Sequence, residues 1–152
     1  MPLYLYSSAD IAKLISKKLE NVFSVKVVWE GYKEVPHWAF NEKRRQYYAP
    51  ALLSLLKEKP CVWIVDVDVY TNGMNFIFGL AGGGRAIVSS YRLDSIEMIE
   101  KEVIHEVGHI FGLLHCKNRC VMQFSNCLEE AKEKPKWLCQ ECKKRLRDKI
   151  NI

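Results

Sequence analysis

Residues His105 to His115 read HEVGHIFGLLH, and three of the chain's four histidines lie in this stretch. Two histidines stand four apart with a glutamate directly after the first. A glycine follows three residues beyond the second, and a third histidine three beyond that. Positions i and i+4 stack one turn apart on a helix face, so His105 and His109 can direct their imidazoles at one centre. Glu106 is rotated by about 100° from His105, close to that centre without being a ligand. A helix continued past His109 would carry position 115 away along the rod. Gly112 offers a remedy, because glycine takes φ > 0 without penalty and ends helices at the C′ position; the chain can then turn and return His115 as a third nitrogen ligand. Three neutral imidazoles leave zinc one open tetrahedral position for water, the catalytic rather than the structural arrangement. Zinc so held brings the pKa of its water to about 7 and polarises a carbonyl. Glu106 is then the general base that takes the water's proton and passes it to a leaving amine. A buried helix with satisfied core histidines is the plain alternative. It would account for a lone histidine but not for this spacing.

The flanking residues predict the helix that must carry the motif. Asp94, with Glu97 three residues on, resembles a capping arrangement. Ile96, Ile99, Val103, Val107, Ile110 and Leu114 recur at spacings of three and four, which anchors one face in a core and leaves the histidines on the adjoining face.

Five of the six cysteines follow the motif. Three residues separate Cys116 from Cys120 and two separate Cys139 from Cys142, with eighteen residues between the pairs. Two close pairs at that distance match a closed four-thiolate zinc site. Disulfides are the competing account. The start, MPLYLYSSAD, has neither the basic residues nor the apolar run of a signal peptide, so a cytoplasmic location is expected, where thiols stay reduced and metal is favoured. A staple has a physical purpose, because only 41 residues remain from Gly112 onward, too few for a robust core of their own. Metal binding there contributes folding free energy directly and sets His115 beside the first cysteine ligand. Cys61 opens an apolar strand and reads as a small buried hydrophobe; Cys127 has no assigned role.

Composition sets the outer bounds. With 152 residues, 49% of them hydrophobic, the chain makes one domain with an ample core. No segment is long enough to span a membrane. The net charge is +5, and Lys132 to Lys149 alone, with eight basic residues against three acidic, accounts for all of it. Such a tail can attract acidic substrates or nucleic acid; a solvated helix face is the reading adopted.

Along the chain, Leu3 to Tyr6 is a strand, and Ser8 or Asp10 caps a helix through about Glu20 with Ile11, Leu14, Ile15 and Leu19 on one face. Val25 to Trp29 is a second strand. A helix is expected from about Lys43 to Lys57, stopped by Pro60. Cys61 to Tyr70 is the strongest strand, with Asp66 and Asp68 on one side by alternation; a solvated or supporting role is expected for both. Thr71 to Asn75 is a turn, and Phe76 to Ala81 and Arg85 to Ser90 are strands joined through Gly82, Gly83 and Gly84. No lysine and serine or threonine follow these glycines as in a phosphate-binding loop, so they form a hairpin turn. Alternating strands and helices suggest a mixed sheet backed by helices, an α+β arrangement.

HEVGHIFGLLH resembles the extended motif of the metzincin metallopeptidases. The cysteines that follow, with Cys120-Val-Met122 just downstream, narrow the resemblance to the archaemetzincins. It covers His105 to Cys142, about a quarter of the chain. The resemblance implies His105, His109 and His115 as ligands of a catalytic zinc, Glu106 as base, and Met122 as the methionine of the turn beneath the metal. It also implies a second, structural zinc on Cys116, Cys120, Cys139 and Cys142, two ions per chain in all. The intervals after Cys116 and after Met122 are each one residue shorter than the family pattern, which leaves Cys127 as an alternative ligand. The implied fold is zincin-like, a twisted mixed sheet with a long active-site helix and a small zinc-stapled carboxyl-terminal part. An upper subdomain then spans residues 1–112 and a lower one 113–152. Phe76 to Ala81 matches the edge strand that holds substrate in extended form.

The expected activity is therefore zinc-dependent hydrolysis of short peptides or amino-terminal residues by a monomer, with peptide as partner and neither membrane nor nucleic acid. One rival is a zinc-stabilised module that binds nucleic acid or protein and carries a vestigial hydrolase site. Another keeps the metal for amide cleavage in a small molecule.

Overall fold

Strands that carry apolar side chains on both faces have no solvent side and belong at the centre of a sheet. In a computed structural model of the chain, which describes residues 1–150, this holds for β1 (Leu3–Tyr6), β5 (Cys61–Val65) and β8 (Arg85–Ser89). They form the middle of a five-stranded sheet with β2 (Val27–Gly31) at one edge and β7 (Gly79–Gly82) at the other, in the order β2-β1-β5-β8-β7. All neighbours are parallel except β7 and β8. Alternation divides the core in two. Leu3, Leu5, Val62, Ile64, Ala86 and Val88 face helices α1 (Ala9–Phe23) and α3 (Ile96–Ile110), while Cys61, Trp63, Val65 and Ile87 face the opposite layer. That layer holds the short helix α2 (Ala49–Leu53) and a small sheet of β3 (Phe40–Asn41), β4 (Gln46–Tyr48) and β6 (Val69–Tyr70). Helices α4 (Leu128–Glu133) and α5 (Gln140–Ile150) complete the chain. The mixed sheet backed by helices is as expected. Among the described residues no helix is long and apolar enough to cross a membrane.

Ser8 caps α1 as expected, its hydroxyl accepting from Ile11 N–H, and the helix runs on to Phe23. Of the helix expected over Lys43 to Lys57, only Ala49–Leu53 forms, as α2. Asn41 Oδ1 accepts from the Lys43 and Arg44 N–H groups, Arg45 takes φ +57°, and the chain doubles back so that β3 and β4 pair. Pro50 explains the late start of α2, because proline fits only the first turn of a helix, where it stands. The strand expected over Cys61 to Tyr70 is divided. Its chain bends at Asp66–Asp68 and leaves the large sheet for the small one, where β6 pairs with β4. Asp68 is held by Arg92 at 2.8 Å and by Gln46 at 3.1 Å, while Asp66 is exposed. Gly83 and Gly84, at φ +62° and +80°, close the β7–β8 hairpin, the backbone such a tight turn demands.

The motif helix starts and ends differently from the pattern reading. Ser95, not Asp94, is its cap and accepts from Met98 N–H at 3.2 Å, while Asp94 pairs with Lys132 at 2.6 Å. At its other end the helix stops at Ile110, so Leu114 is 76% exposed rather than part of the apolar stripe. Replacing Ser95 by alanine should therefore cost about 1 kcal/mol of stability in denaturant titrations. Asp94→Ala removes only an exposed ion pair and should cost less than about 0.5 kcal/mol. The reverse ranking would return the cap to Asp94.

Candidate active site

Helix α3 ends in a turn that does two things at once. Gly112 N–H donates to His109 O at 3.0 Å and Leu113 N–H to Gly108 O at 2.9 Å, with Gly112 at φ +94°. This is the Schellman pattern, which satisfies orphan helix carbonyls and reverses the chain. The reversal brings His115 back, so that one ring nitrogen from each of His105, His109 and His115 lies within 4.8 Å of the others. The same turn presents Leu113 O to His109 Nδ1 at 2.7 Å. His105 Nδ1 meets Val121 O at 2.9 Å. A carbonyl accepts only, so both Nδ1 atoms carry the proton and both Nε2 atoms present lone pairs. Those two Nε2 atoms stand 3.2 Å apart. Two nitrogens at about 2.0–2.1 Å from a tetrahedral zinc would be about 3.3 Å apart. The donor set thus fits zinc, and a cation is what two converging lone pairs need.

Burial grades across the cluster. His105 is buried, His109 half-buried and His115 exposed, its ring packed 5.2 Å from Phe124. Burial pushes all three imidazoles below their usual value, His105 to about 3, and the nearby Lys134 ammonium adds to the effect. Neutral rings are the form that binds metal.

Two glycines let the site close up. A Cβ at Gly108 would fall 2.5 Å from Met122 Sδ, so the helix meets the fully buried Met122 only because position 108 has no side chain. On β7, a Cβ at Gly79 would fall 2.6 Å from Glu106 Oε2 and 2.8 Å from its Cγ. Gly79 is thereby the wall against which Glu106 rests. Glu106 is buried beside Glu102, one helical turn earlier on the same helix. Burial pushes both carboxyls up, and for Glu106 the charge of Glu102 adds to it. Lys134 opposes this. Its Nζ is buried beside the pair and donates to Gln123 O at 3.1 Å. Lys101, also buried, donates to Ala131 O and Lys132 O, fastening α3 to the end of α4.

The three histidines, Glu102, Glu106 and Lys134 line a cleft of about 350 Å³ bounded by Phe76, Phe78, Gly79 and Phe124. Of the expected edge strand over Phe76 to Ala81, the sheet holds Gly79–Gly82, with Ile77 bridged to Val69. Glu102, Lys134, Gly79 and Gly108 were not singled out in the sequence. Glu102 lies one turn from Glu106 on the same face, and a glycine inside a strand signals a close approach, so two of the four left a trace.

Below the histidines, the sulfurs of Cys116, Cys120, Cys139 and Cys142 lie within 4.8 Å of one another, and Cys116 and Cys139 are 3.8 Å apart. That is about the edge of a tetrahedron with 2.3 Å zinc–sulfur bonds. All six cysteines are free thiols. Backbone N–H groups of Met122 and Cys139 point at Cys120 Sγ, and the Cys142 N–H and the side-chain Nδ2 of Asn118 point at Cys139 Sγ. Although burial acts to raise it, Cys139 is held at about 6 by these donors. Cys127 is exposed at the start of α4 and outside the cluster, and Cys61 is buried in the core.

The chain matches the family model "Peptidase family M54" over residues 8–148. The archaemetzincin of Nanoarchaeum equitans is 42% identical over 148 residues, covering 93% of this chain and 86% of that one. That of Archaeoglobus fulgidus is 36% identical over 149 residues, covering 92% and 93%. Among solved structures, the Archaeoglobus fulgidus archaemetzincin complexed with malonate superposes with a TM-score of 0.89 at 33% identity, covering 95% of this chain and 99% of that one. Archaemetzincin from Methanopyrus kandleri gives 0.87 at 31%, covering 99% and 94%.

Gly79→Ala isolates the wall behind Glu106. It should lower kcat/KM for peptide hydrolysis by about 100-fold, the scale of loss when a group of a site is displaced by an ångström, with metal content unchanged. Wild-type turnover in that variant would mean that Glu106 does not depend on this contact.

Proposed function

The chain belongs to peptidase family M54, the archaemetzincins, and is a zinc metallopeptidase; on that premise we propose that His105, His109 and His115 hold the catalytic zinc, that Glu106 is the general base, and that the substrate is a short peptide or an amino-terminal residue. The observation that carries this reading is the pair of Nε2 lone pairs 3.2 Å apart, each ring locked by a backbone carbonyl, with the exposed third imidazole leaving one side of the cluster open to the cleft. When bound, zinc acidifies water and polarises the scissile carbonyl.

The chain's own groups do the rest. β7 is an edge strand, and its free backbone groups can pair with an extended peptide laid antiparallel or parallel beside it. Phe76, Phe78 and Phe124 offer apolar surface to the side chains that flank the scissile bond and keep bulk water from it. A carboxylate oxygen of Glu106 takes the proton of the attacking water and delivers it to the leaving amine nitrogen. Lys134 holds positive charge beside the Glu102–Glu106 pair, which favours the ionised base. We assign Cys116, Cys120, Cys139 and Cys142 to a second, structural zinc, and divide the molecule at Gly112 into an upper part, residues 1–112, and a lower part, residues 113–152.

Two measurements test this reading. Glu106→Gln should retain its metal and lose at least about 1,000-fold in kcat, within the range of general-base contributions; equal activity with zinc retained would remove Glu106 from the mechanism. Native mass spectrometry should find two zinc ions per chain: His109→Ala should lose one together with activity and keep the other, and Cys139→Ser should lose the cysteine-held ion and hold the histidine-bound one more weakly. A single ion, or one that survives both substitutions, would overturn the assignment of the two sites.

A further inference from the structure

On another part of the surface, α1, residues 136–138 and α5 enclose a second hollow of about 660 Å³, within the range that holds specific ligands. Its floor is made by Phe23, Leu138 and Leu146, all buried in the main core. Trp137 stands at its side with half of its surface, 53%, exposed. Four cations line it, Lys18 from α1, Lys136 from the loop, and Lys143 and Arg147 one turn apart on α5. No carboxylate is among the lining residues. The ion pairs of the described residues engage Arg92, Lys101, Lys132 and Arg145 but none of these four.

Gathering four like charges around an apolar concavity opposes folding through mutual repulsion, and no internal acid offsets it here. Such an arrangement is complementary to a partner that brings negative charge to the rim and apolar groups to the floor. An exposed tryptophan flanked by basic residues is also the composition of interface positions that carry most binding energy. We propose that this hollow docks an acidic polypeptide segment, one in which Asp or Glu residues flank a Phe or Leu that enters the pocket.

Other anionic partners fit less well. A single-stranded nucleic acid would set the polar edges of its bases against the apolar floor of Phe23, Leu138 and Leu146, with Asn21 and Ser24 as the uncharged polar side chains of the lining left to meet them. An anionic membrane is flat and does not reach the floor of a concave site. A polypeptide meets both demands, since side chains enter pockets singly while neighbouring acids reach the rim. The hollow is also tied to the histidine cluster. Trp137 O accepts from Val121 N–H at 2.9 Å, and Val121 O is the partner of His105 Nδ1. A segment docked at Trp137 is thus held on the backbone that orients a histidine of the cleft.

The inference goes beyond the hydrolytic reading and its test does not depend on turnover. A fluorescein-labelled, end-blocked twelve-residue peptide of alternating Glu and Leu or Phe is titrated into zinc-loaded Glu106→Gln protein, with binding followed by anisotropy. Affinity should fall by at least about tenfold in Trp137→Ala and in the double variant Lys143→Gln, Arg147→Gln, and should fall as salt rises. A hydroxamate that occupies the catalytic cleft should not displace the peptide. In the otherwise native chain the same substitutions should leave hydrolysis of a short neutral peptide within about twofold, a measure that also confirms folding. The proposal fails if a Lys-for-Glu version of the peptide binds equally, if the substitutions leave affinity unchanged, or if the hydroxamate competes. It also fails if oligo(dT), anionic phospholipid vesicles or a second copy of the chain occupies these residues in preference. No peptide binding by a chain in which Glu106→Gln abolishes hydrolysis removes this site alone; binding as expected with a fully active Glu106→Gln removes only the catalytic reading.

Discussion

Two backbone carbonyls, Leu113 O and Val121 O, determine what the histidine cluster is able to do. By accepting from the Nδ1 atoms of His109 and His105 they fix the tautomer of each ring and turn the Nε2 lone pairs toward a common point. Lone pairs 3.2 Å apart repel unless a cation lies between them, so the arrangement stores a demand for metal that packing alone enforces. Each carbonyl comes from a different device. Leu113 belongs to the Schellman turn at Gly112, and Val121 to the Cys120–Gln123 turn that carries Met122. Any side chain at position 108 would force Met122 to shift, since a Cβ there would fall 2.5 Å from Met122 Sδ. Ligand orientation therefore rests on two turns and a glycine rather than on the histidines themselves.

This dependence explains what could be read from the sequence and what could not. The spacing of HEVGH fixes the relative direction of His105, Glu106 and His109 once a helix is granted, because helical geometry is local. Gly112 was legible for the same reason, since only a residue free to take φ +94° allows the return to His115. The cysteine pairs were legible through their intervals, and the exposure of Cys127 leaves the other four as the cluster. Lys134 was not, because it reaches Glu106 and His105 across a separation of about thirty residues, set by the path of the whole intervening chain. The misplaced helix over Lys43 to Lys57 is instructive in another way. Leu52, Leu53 and Leu56 carry helical spacing, but Pro50 and the Asn41 turn are local breakers, and Tyr47 and Tyr48 gain more by pairing in the small sheet. The break of Cys61–Tyr70 after Val65 coincides with a change of pattern, from the continuous apolar run Cys61–Val65 to the alternation that starts at Asp66, and the competing β4 partner completes it.

The carboxyl-terminal part owes its order to the cluster of cysteines as much as to apolar packing. Leu138, Cys142 and Leu146 join the core that also holds Leu3, Leu5 and Val62, so the tail does not fold on a core of its own. Between these anchors, however, residues 114–127 contain no helix or strand. What holds them is a set of short links that converge on the cluster. Cys116 N–H donates to Met122 O, Val121 N–H to Trp137 O, and the Met122 and Cys139 N–H groups to Cys120 Sγ. Every one of these links touches a cysteine, or the Met122 and Val121 that a cysteine precedes. His115 is adjacent to Cys116, and the carbonyl that orients His105 belongs to Val121, next to Cys120. Loosening the four sulfurs would therefore release one histidine of the cluster and disorient another. Structural order in the tail and chemical competence in the cleft are one requirement, met by the same few residues.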